Sequence, residues 1–214
     1  NEIDIAIHTV LDGGQYILGK EVSKFEGEFA NWNHSNYCIG VANGTDAIQL
    51  ALQGLDIGRG DEVIVPSHTA VATAAAVTSL GATPVFADID EYYCIHSESV
   101  ERLISSNTKA IIAVHLYGNP ANLNNLLEVA NNCNLTLIED CAQAHGAQYN
   151  HSKVGTFGVC STYSFYPTKN LGALGDGGAV VTQDEGLAES IKSLRQYGWV
   201  ERYISDSIGT NSRL

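Results

Sequence analysis

The sequence lacks methionine altogether, and its first residue is Asn1. Because a complete gene product normally starts with methionine, we expect the 214 residues to be a piece of a longer protein. An engineered or incompletely recorded chain would show the same pattern. The sequence also lacks an apolar run of transmembrane length and an N-terminal signal peptide, which argues against a membrane protein.

Cysteine is present, but not in a pattern typical of a zinc site or a disulfide framework. The five cysteines are scattered, their number is odd, and no C-x-x-C occurs. We therefore expect a reducing compartment, the cytoplasm, and interpret most of these residues as small buried hydrophobic side chains. The histidines show no metal-ligand spacing, so we predict no metal site.

Basic residues are few. The chain has 11 Lys and Arg against 24 Asp and Glu, a formal net charge of −13. Such a surface repels phosphate backbones and anionic lipid, so nucleic acid and membranes are poor candidates as partners. An anionic substrate would require a locally positive site.

The usual nucleotide-binding fingerprints are also absent. No G-x-G-x-x-G follows a strand, and no G-x-x-x-x-G-K-[ST] occurs. The glycine-rich stretch at residues 172–178 precedes a strand rather than a helix. We interpret it as a tight turn that leads into that strand.

An alternation of strands and helices occupies most of the chain. Residues 3–33 predict two helices separated by Asp12-Gly13-Gly14, and the alternation begins at Cys38. It predicts a three-layer α/β/α fold with a mostly parallel mixed sheet. The predicted strands are 38–41, 62–66, 83–89, 109–116, 135–138, 159–165 and 178–182. The predicted helices are 46–55, 69–80, one capped by Ser97 or Ser99 and ending near 106, 122–133 and 185–197.

Ligands of such sheets bind at the carboxyl ends of the strands, which directs attention to the loops there. Asn43-Gly44-Thr45 joins a strand to a helix. Glycine permits close backbone approach, and the helix N-terminus offers free N–H groups to an anion such as phosphate. The alternative, an ordinary turn with a threonine cap, is favoured when this motif is considered alone.

Two carboxylates follow the apolar strand 135–138. Asp140 and its neighbour Glu139 should be partly buried, which is costly without a partner. That partner is either a structural Arg or Lys or a protonated ring nitrogen of a cofactor. In the following loop, Gln143 either hydrogen-bonds a cofactor oxygen or ties the loop together, and we interpret His145 as a satisfied loop histidine.

Lys169 follows a strand and precedes a glycine turn. Most lysines are solvated surface groups. A lysine in a partly desolvated site can instead lose its proton and form a Schiff base with a carbonyl. Considered alone, Lys169 favours the surface interpretation.

Taken together, these segments resemble the DegT/DnrJ/EryC1/StrS family of pyridoxal-phosphate-dependent sugar aminotransferases. The resemblance spans nearly the whole chain, and its blocks occur in the family's order. They are Gly44-Thr45-Asp46-Ala47, Pro66-Ser67-His68-Thr69 with Ala72-Thr73, Gly81 to Val85, His115-Leu116-Tyr117-Gly118, Glu139 to Ala147, Ser164-Phe165 with Lys169, and Gly175-Asp176-Gly177-Gly178.

The resemblance implies the aspartate-aminotransferase (fold type I) architecture and the cofactor pyridoxal 5'-phosphate. It implies that Lys169 carries the cofactor as a Schiff base, that Asp140 pairs with the pyridine nitrogen, and that Gln143 lies near the phenolic oxygen. The implied phosphate contacts are Gly44, Thr45, Ser164 and, across a homodimer, Asn211 of the neighbouring subunit. Residues 1–214 would then be the N-terminal region and cofactor-binding large domain, without the family's small C-terminal domain.

The implied activity is transfer of an amino group from an amino acid, L-glutamate, to a nucleotide-linked keto sugar. The blocks at 66–69 and 115–118 favour a dTDP-3-keto-6-deoxyhexose. A sugar dehydratase of the same family would carry His in place of Lys169. A catalytically silent or regulatory pyridoxal-phosphate-binding fragment is the remaining alternative. One departure is Ala70, where many relatives have an aromatic residue that stacks on the cofactor, so we expect His68 or an aliphatic surface there.

Overall fold

The computed structural model describes residues 1–214. Seven α-helices and a set of short strands alternate along the chain, as the sequence predicts. The helices are α1 (Glu2–Gly13), α2 (Lys20–Trp32), α3 (Gly44–Gly54), α4 (Val71–Ser79), α5 (Ser97–Leu103), α6 (Leu123–Cys133) and α7 (Glu185–Leu194). The strands are β1 (Tyr37–Val41), β2 (Glu62–Pro66), β3 (Thr83–Ala87), β4 (Thr108–Val114), β5 (Thr136–Asp140), β6 (Gln148–Tyr149), β7 (Ser152–Lys153), β8 (Cys160–Ser164), β9 (Gly178–Thr182), β10 (Trp199–Glu201) and β11 (Ile204–Ser205).

Seven of these strands form one sheet in the order β1-β9-β8-β5-β4-β2-β3. Strand β9 runs antiparallel to both of its neighbours, and the remaining pairs are parallel. The predicted mostly parallel mixed sheet is therefore confirmed. Because the parallel strands share a direction, their carboxyl ends meet at one edge of the sheet.

Helices cover both faces of the sheet and enclose two separate hydrophobic clusters. Neighbouring strand residues alternate between them, as the twofold period of a strand requires: Ile112 joins the cluster under α3, α4 and α7, and Ile111 joins the one under α2, α5 and α6. Two inner faces buried in this way explain the near-continuous apolar runs of β2, β4 and β5. The three-layer prediction is confirmed.

Some predicted helix ends are wrong, for local reasons. Helix α5 has His96 at its N-cap and ends at Leu103, while the Ser99 hydroxyl accepts the Asp88 N–H at 2.9 Å instead of capping the helix. Helix α7 ends at Leu194 because Tyr197 adopts a left-handed φ of 63°, which a right-handed helix excludes.

Helix α1 buries none of its side chains and presents Ile3, Ile5 and Leu11 on its surface. No helix combines the length and the apolar character that crossing a bilayer demands.

Candidate functional site

An open cavity of about 760 Å³ lies at the carboxyl edge of the sheet. Its walls come from the loop after β1, the start of α4, the end of β5 and the turn between β8 and β9. Five of the seven predicted site residues line it: Gly44, Thr45, Asp140, Ser164 and Lys169. The other lining residues are Asn43, Asp46, Ile48, Ala70, Val71, Ala72, Ala142, Tyr166 and Asp176.

The first turn of α3 forms one wall. Asn43 caps this helix, with its Oδ1 accepting the Asp46 N–H at 2.8 Å, so the threonine cap considered from the sequence is wrong. Thr45 keeps its hydroxyl free, and neither the Gly44 nor the Thr45 N–H has an acceptor within the chain. Free N–H groups at a helix N-terminus form an anion-binding site.

Glycine at this turn is required by close packing. A Cβ on Gly44 would lie 2.7 Å from Cβ of Ser164, the last residue of β8. A Cβ on Gly178 would clash with the Asn43 carbonyl oxygen. The two glycines therefore let the α3 N-terminus, β8 and β9 converge, and they bring the Ser164 hydroxyl beside the free N–H groups.

Asp140 ends β5 and is 5 % exposed. Its Oδ2 accepts the Thr73 hydroxyl at 3.3 Å, and its Oδ1 accepts the Ala142 N–H at 3.1 Å. Burial raises the pKa of this carboxyl, and the Ala142 hydrogen bond, His115, Thr73 and Lys169 oppose that rise. Only two rather long hydrogen bonds stabilise the anion, so Asp140 is suited to a cationic partner in the cavity.

The Glu139 carboxylate, by contrast, has all the hydrogen-bond donors it needs within the chain. It accepts four hydrogen bonds of 2.7–3.0 Å, from the N–H groups of Gly155, Phe157 and Gly158 and from Nε2 of His115. The expectation of an Arg, Lys or cofactor partner for this carboxylate is therefore wrong. Glu139, His115 and Cys141 cluster within 4.8 Å, but both His115 nitrogens are already engaged, which leaves the imidazole no lone pair to bind a metal.

Lys169 closes a turn in which its N–H donates to the Tyr166 carbonyl at 2.8 Å. Its side chain is half-buried, and its Nζ makes no hydrogen bond or ion pair. Lys24 and Lys192 pair with carboxylates instead. Lys169 is thus an unpaired amine at the cavity, and its positive charge lowers the pKa of Asp140. Lys169 therefore lies at the cavity, half-buried and without a partner, and its role as the Schiff-base lysine stays a prediction.

Two predicted site residues lie outside this cavity. Gln143 accepts the Tyr117 N–H through Oε1 at 2.8 Å and so ties two loops together, with Tyr117 in a left-handed φ of 59°. Asn211 is exposed, and its Oδ1 accepts the Arg213 Nε–H at 2.8 Å. The adjacent Ser212 is fully buried and donates to Asp46 at 2.6 Å, which fixes this segment beside α3.

Thr73 was assigned no role from the sequence, whereas an aliphatic surface was one of the two expectations at Ala70. Thr73 donates its hydroxyl to Asp140, and it lies 3.0 Å from the Thr69 hydroxyl, which precedes α4. Ala70, Val71 and Ala72 give the cavity an aliphatic wall, whereas His68 lies against Tyr93 and Tyr117 outside it.

His145 differs from the expected satisfied histidine. Both ring nitrogens are buried and have no hydrogen-bond partner, and the ring packs against Tyr163 and Phe165. Burial lowers the pKa of this imidazole.

The fold defines the class of protein. The structure superposes on the crystal structure of Streptomyces venezuelae DesV in complex with a ketimine intermediate, with a TM-score of 0.97 and 50 % identity, covering 100 % of this chain and 58 % of that one. It also matches Bacillus subtilis ntda with bound cofactor PMP, with a TM-score of 0.91 and 32 % identity over 97 % of this chain and 48 % of that one. The chain therefore has the fold of the pyridoxal-phosphate-dependent aminotransferases.

The family follows from the sequence comparison. The profile of the DegT/DnrJ/EryC1/StrS aminotransferase family matches residues 1–214, and the chain belongs to this family. It is 50 % identical to a dTDP-3-amino-3,4,6-trideoxy-alpha-D-glucose transaminase of Streptomyces venezuelae. That match covers 100 % of this chain, which spans 56 % of the relative's length.

Proposed function

We propose that this chain binds pyridoxal 5'-phosphate, and that the protein to which it belongs transfers an amino group from an amino acid to a nucleotide-linked keto sugar. The observation that carries the proposal is the convergence of Lys169, Asp140, Gly44, Thr45 and Ser164 on one cavity. These residues come from α3, β5, β8 and the turn after β8, and each offers a group that complements one part of the cofactor.

The phosphate fits the first turn of α3. The unused N–H groups of Gly44 and Thr45 and the Ser164 hydroxyl offer donors within one wall of the cavity. The helix N-terminus adds a partial positive charge, so a phosphate can bind although the chain as a whole carries −13. These donors anchor the cofactor and orient it.

The buried carboxylate of Asp140 fits a protonated ring nitrogen. An ionised acid with two long hydrogen bonds gains a charge-assisted one when a cation binds. When bound, the cofactor supplies an electron-withdrawing ring that stabilises a carbanion. Asp140 would hold the proton on the ring nitrogen that makes this withdrawal effective.

Lys169 supplies the amine that attaches the cofactor and afterwards moves a proton. Its Nζ has no competing partner in the chain, so it is free to react with a carbonyl. Once free again, the same nitrogen is suited to take a proton from the amino-bearing carbon as a general base. A histidine at this position would lack the primary amine that a Schiff base requires.

Two residues outside the cavity take supporting roles. Gln143 uses Oε1 on Tyr117 and leaves its amide N–H groups for the phenolic oxygen of the cofactor. Asn211 is exposed beside a segment that Ser212 anchors, and we place it toward the phosphate of a second subunit in a homodimer.

The substrate is proposed from the relatives. The Streptomyces venezuelae enzyme bears the name of a dTDP-3-amino sugar transaminase, which supports a dTDP-3-keto-6-deoxyhexose as amino acceptor. L-glutamate is proposed as the donor from the family resemblance alone. The five free thiols, four of them buried, support a cytoplasmic location.

Cofactor attachment is tested by incubating the chain with pyridoxal 5'-phosphate, reducing with borohydride and mapping the modified peptide. We expect one stable adduct, on Lys169. Lys109→Ala, which removes an exposed lysine of β4, is the matched control and should keep the adduct. If the Lys169→Ala variant still forms a reducible cofactor adduct to the same extent as the unchanged chain, the role assigned to Lys169 is wrong.

Turnover is tested with the full-length protein, L-glutamate and a panel of keto sugar nucleotides. We expect amination of a dTDP-3-keto-6-deoxyhexose and loss of amination in Lys169→Ala. A full-length protein that binds the cofactor on Lys169 yet aminates no sugar on the panel would instead support the silent or regulatory alternative.

A further inference from the structure

Glu139 and Asp140 are neighbouring buried carboxylates with opposite surroundings. Successive strand residues point to opposite faces, so Asp140 faces the cavity and Glu139 faces the layer formed by α2, α5 and α6. Asp140 has two hydrogen bonds and Glu139 has four. A buried anion with four donors needs no further cation. The function proposed above uses Asp140 only.

His115 contacts both residues, the Glu139 carboxylate through its ring and the Asp140 backbone through its N–H. Its Nδ1 accepts the Ala121 N–H at 3.1 Å, so the proton of the neutral ring lies on Nε2, which donates to Glu139 at 3.0 Å. Its backbone N–H donates to the Asp140 carbonyl at 3.1 Å. His115 and Glu139 are both fully buried, so water does not compete for these bonds.

The carboxyl end of β5 is therefore hydrogen-bonded both by His115 and by the 155–158 loop. His115 holds Glu139 through its ring and Asp140 through its backbone, while the Glu139 carboxylate binds the 155–158 loop. We propose that His115 and Glu139 are positioning residues that fix where the Asp140 carboxylate stands in the cavity. The proposal rests on the cofactor-binding function proposed above.

Two substitutions at His115 separate the Glu139 contact from general packing. His115→Gln keeps an N–H donor where Nε2 lies and loses the acceptor for Ala121. His115→Asn keeps an acceptor where Nδ1 lies and loses the donor to Glu139. We expect His115→Asn to weaken pyridoxal 5'-phosphate binding about tenfold, because loss of the buried hydrogen bond to the charged Glu139 lets the end of β5, and with it the Asp140 carboxylate, shift in the cavity. His115→Gln should stay within about threefold of wild type.

A second test asks whether the effect passes through Asp140. The same substitutions are made in an Asp140→Asn background, and the dissociation constant of pyridoxal 5'-phosphate is measured by absorbance, with thermal unfolding to verify the fold. A positioning role predicts that His115→Asn adds almost nothing once the Asp140 charge is gone. Ser161→Ala is the matched control because its hydroxyl binds the Gly155 carbonyl of the same loop without touching His115 or Glu139.

Each outcome discriminates. Equal losses in the two backgrounds, or equal losses for His115→Asn and His115→Gln, would overturn the positioning role while leaving the proposed cofactor site intact. A wild-type chain that binds no pyridoxal 5'-phosphate would overturn the proposed function and this role with it.

Discussion

The contact between Gly44 and Ser164 makes a sharp prediction about a single methyl group. In Gly44→Ala the new Cβ would lie 2.7 Å from the Ser164 Cβ and 3.1 Å from its hydroxyl oxygen. Real Cβ atoms do not approach so closely, so either α3 or the end of β8 must shift. Ser164 is only 8 % exposed, and its backbone is hydrogen-bonded in the sheet, so a shift of α3 or of β8 is energetically costly.

The expected cost is about 1–3 kcal/mol of unfolding free energy, the usual range for overpacking a dense site. The measurement is urea unfolding of the cofactor-free chain, followed by circular dichroism and fluorescence. Gly27→Ala is the matched control: Gly27 is exposed within α2, and a Cβ there meets nothing within 4 Å. It should stabilise the chain by about 0.5–1 kcal/mol through helix propensity.

The clash itself is tested by relief. Ser164→Gly removes the opposing Cβ, so the double variant should be at least about 1 kcal/mol more stable than the sum of the two single effects predicts. Strictly additive effects, or a Gly44→Ala variant as stable as Gly27→Ala, would refute the packing argument.

Three further predictions concern charges and thiols. Glu26→Ala should lower the free energy of unfolding in urea by about 3–5 kcal/mol, because it leaves the Arg195 guanidinium buried without the carboxylate that now lies 2.5 Å away. A loss below about 1 kcal/mol would contradict this argument. Asp140→Asn should stabilise the cofactor-free chain at pH 7, because burial raises the pKa of Asp140 and the folded chain therefore carries a penalty once this acid ionises. That gain should shrink as the pH falls below the raised pKa of Asp140 and disappear below about 3.9, where the acid is protonated in the folded and unfolded chain alike. A gain independent of pH would show another cause. A thiol reagent at pH 8 should modify Cys133 alone in the folded chain and all five cysteines in denaturant. The other four cysteines are buried, and burial raises the pKa of Cys94 to about 11. Rapid modification of Cys94 in the folded chain would contradict its burial.

The sequence by itself determined the architecture and most of the candidate site. Alternating apolar runs and helical spacing are local signals, and they predicted the strands around Lys169 and Asp140 to within a few residues. The rule that parallel strands present their carboxyl ends at one edge then predicted that Gly44, Thr45 and Asp140 lie together, and they line one cavity.

Tertiary structure alone decided how those residues are supported. Glu139 accepts hydrogen bonds from His115 and from N–H groups of the 155–158 loop, Gly44 is required by its close approach to Ser164, and Gln143 accepts the Tyr117 N–H. Each of these contacts joins segments that are distant along the chain, and no periodicity or spacing encodes a partner across a sheet. The same physics explains His145, because a loop sequence does not reveal whether its side chain ends against water or against Tyr163 and Phe165.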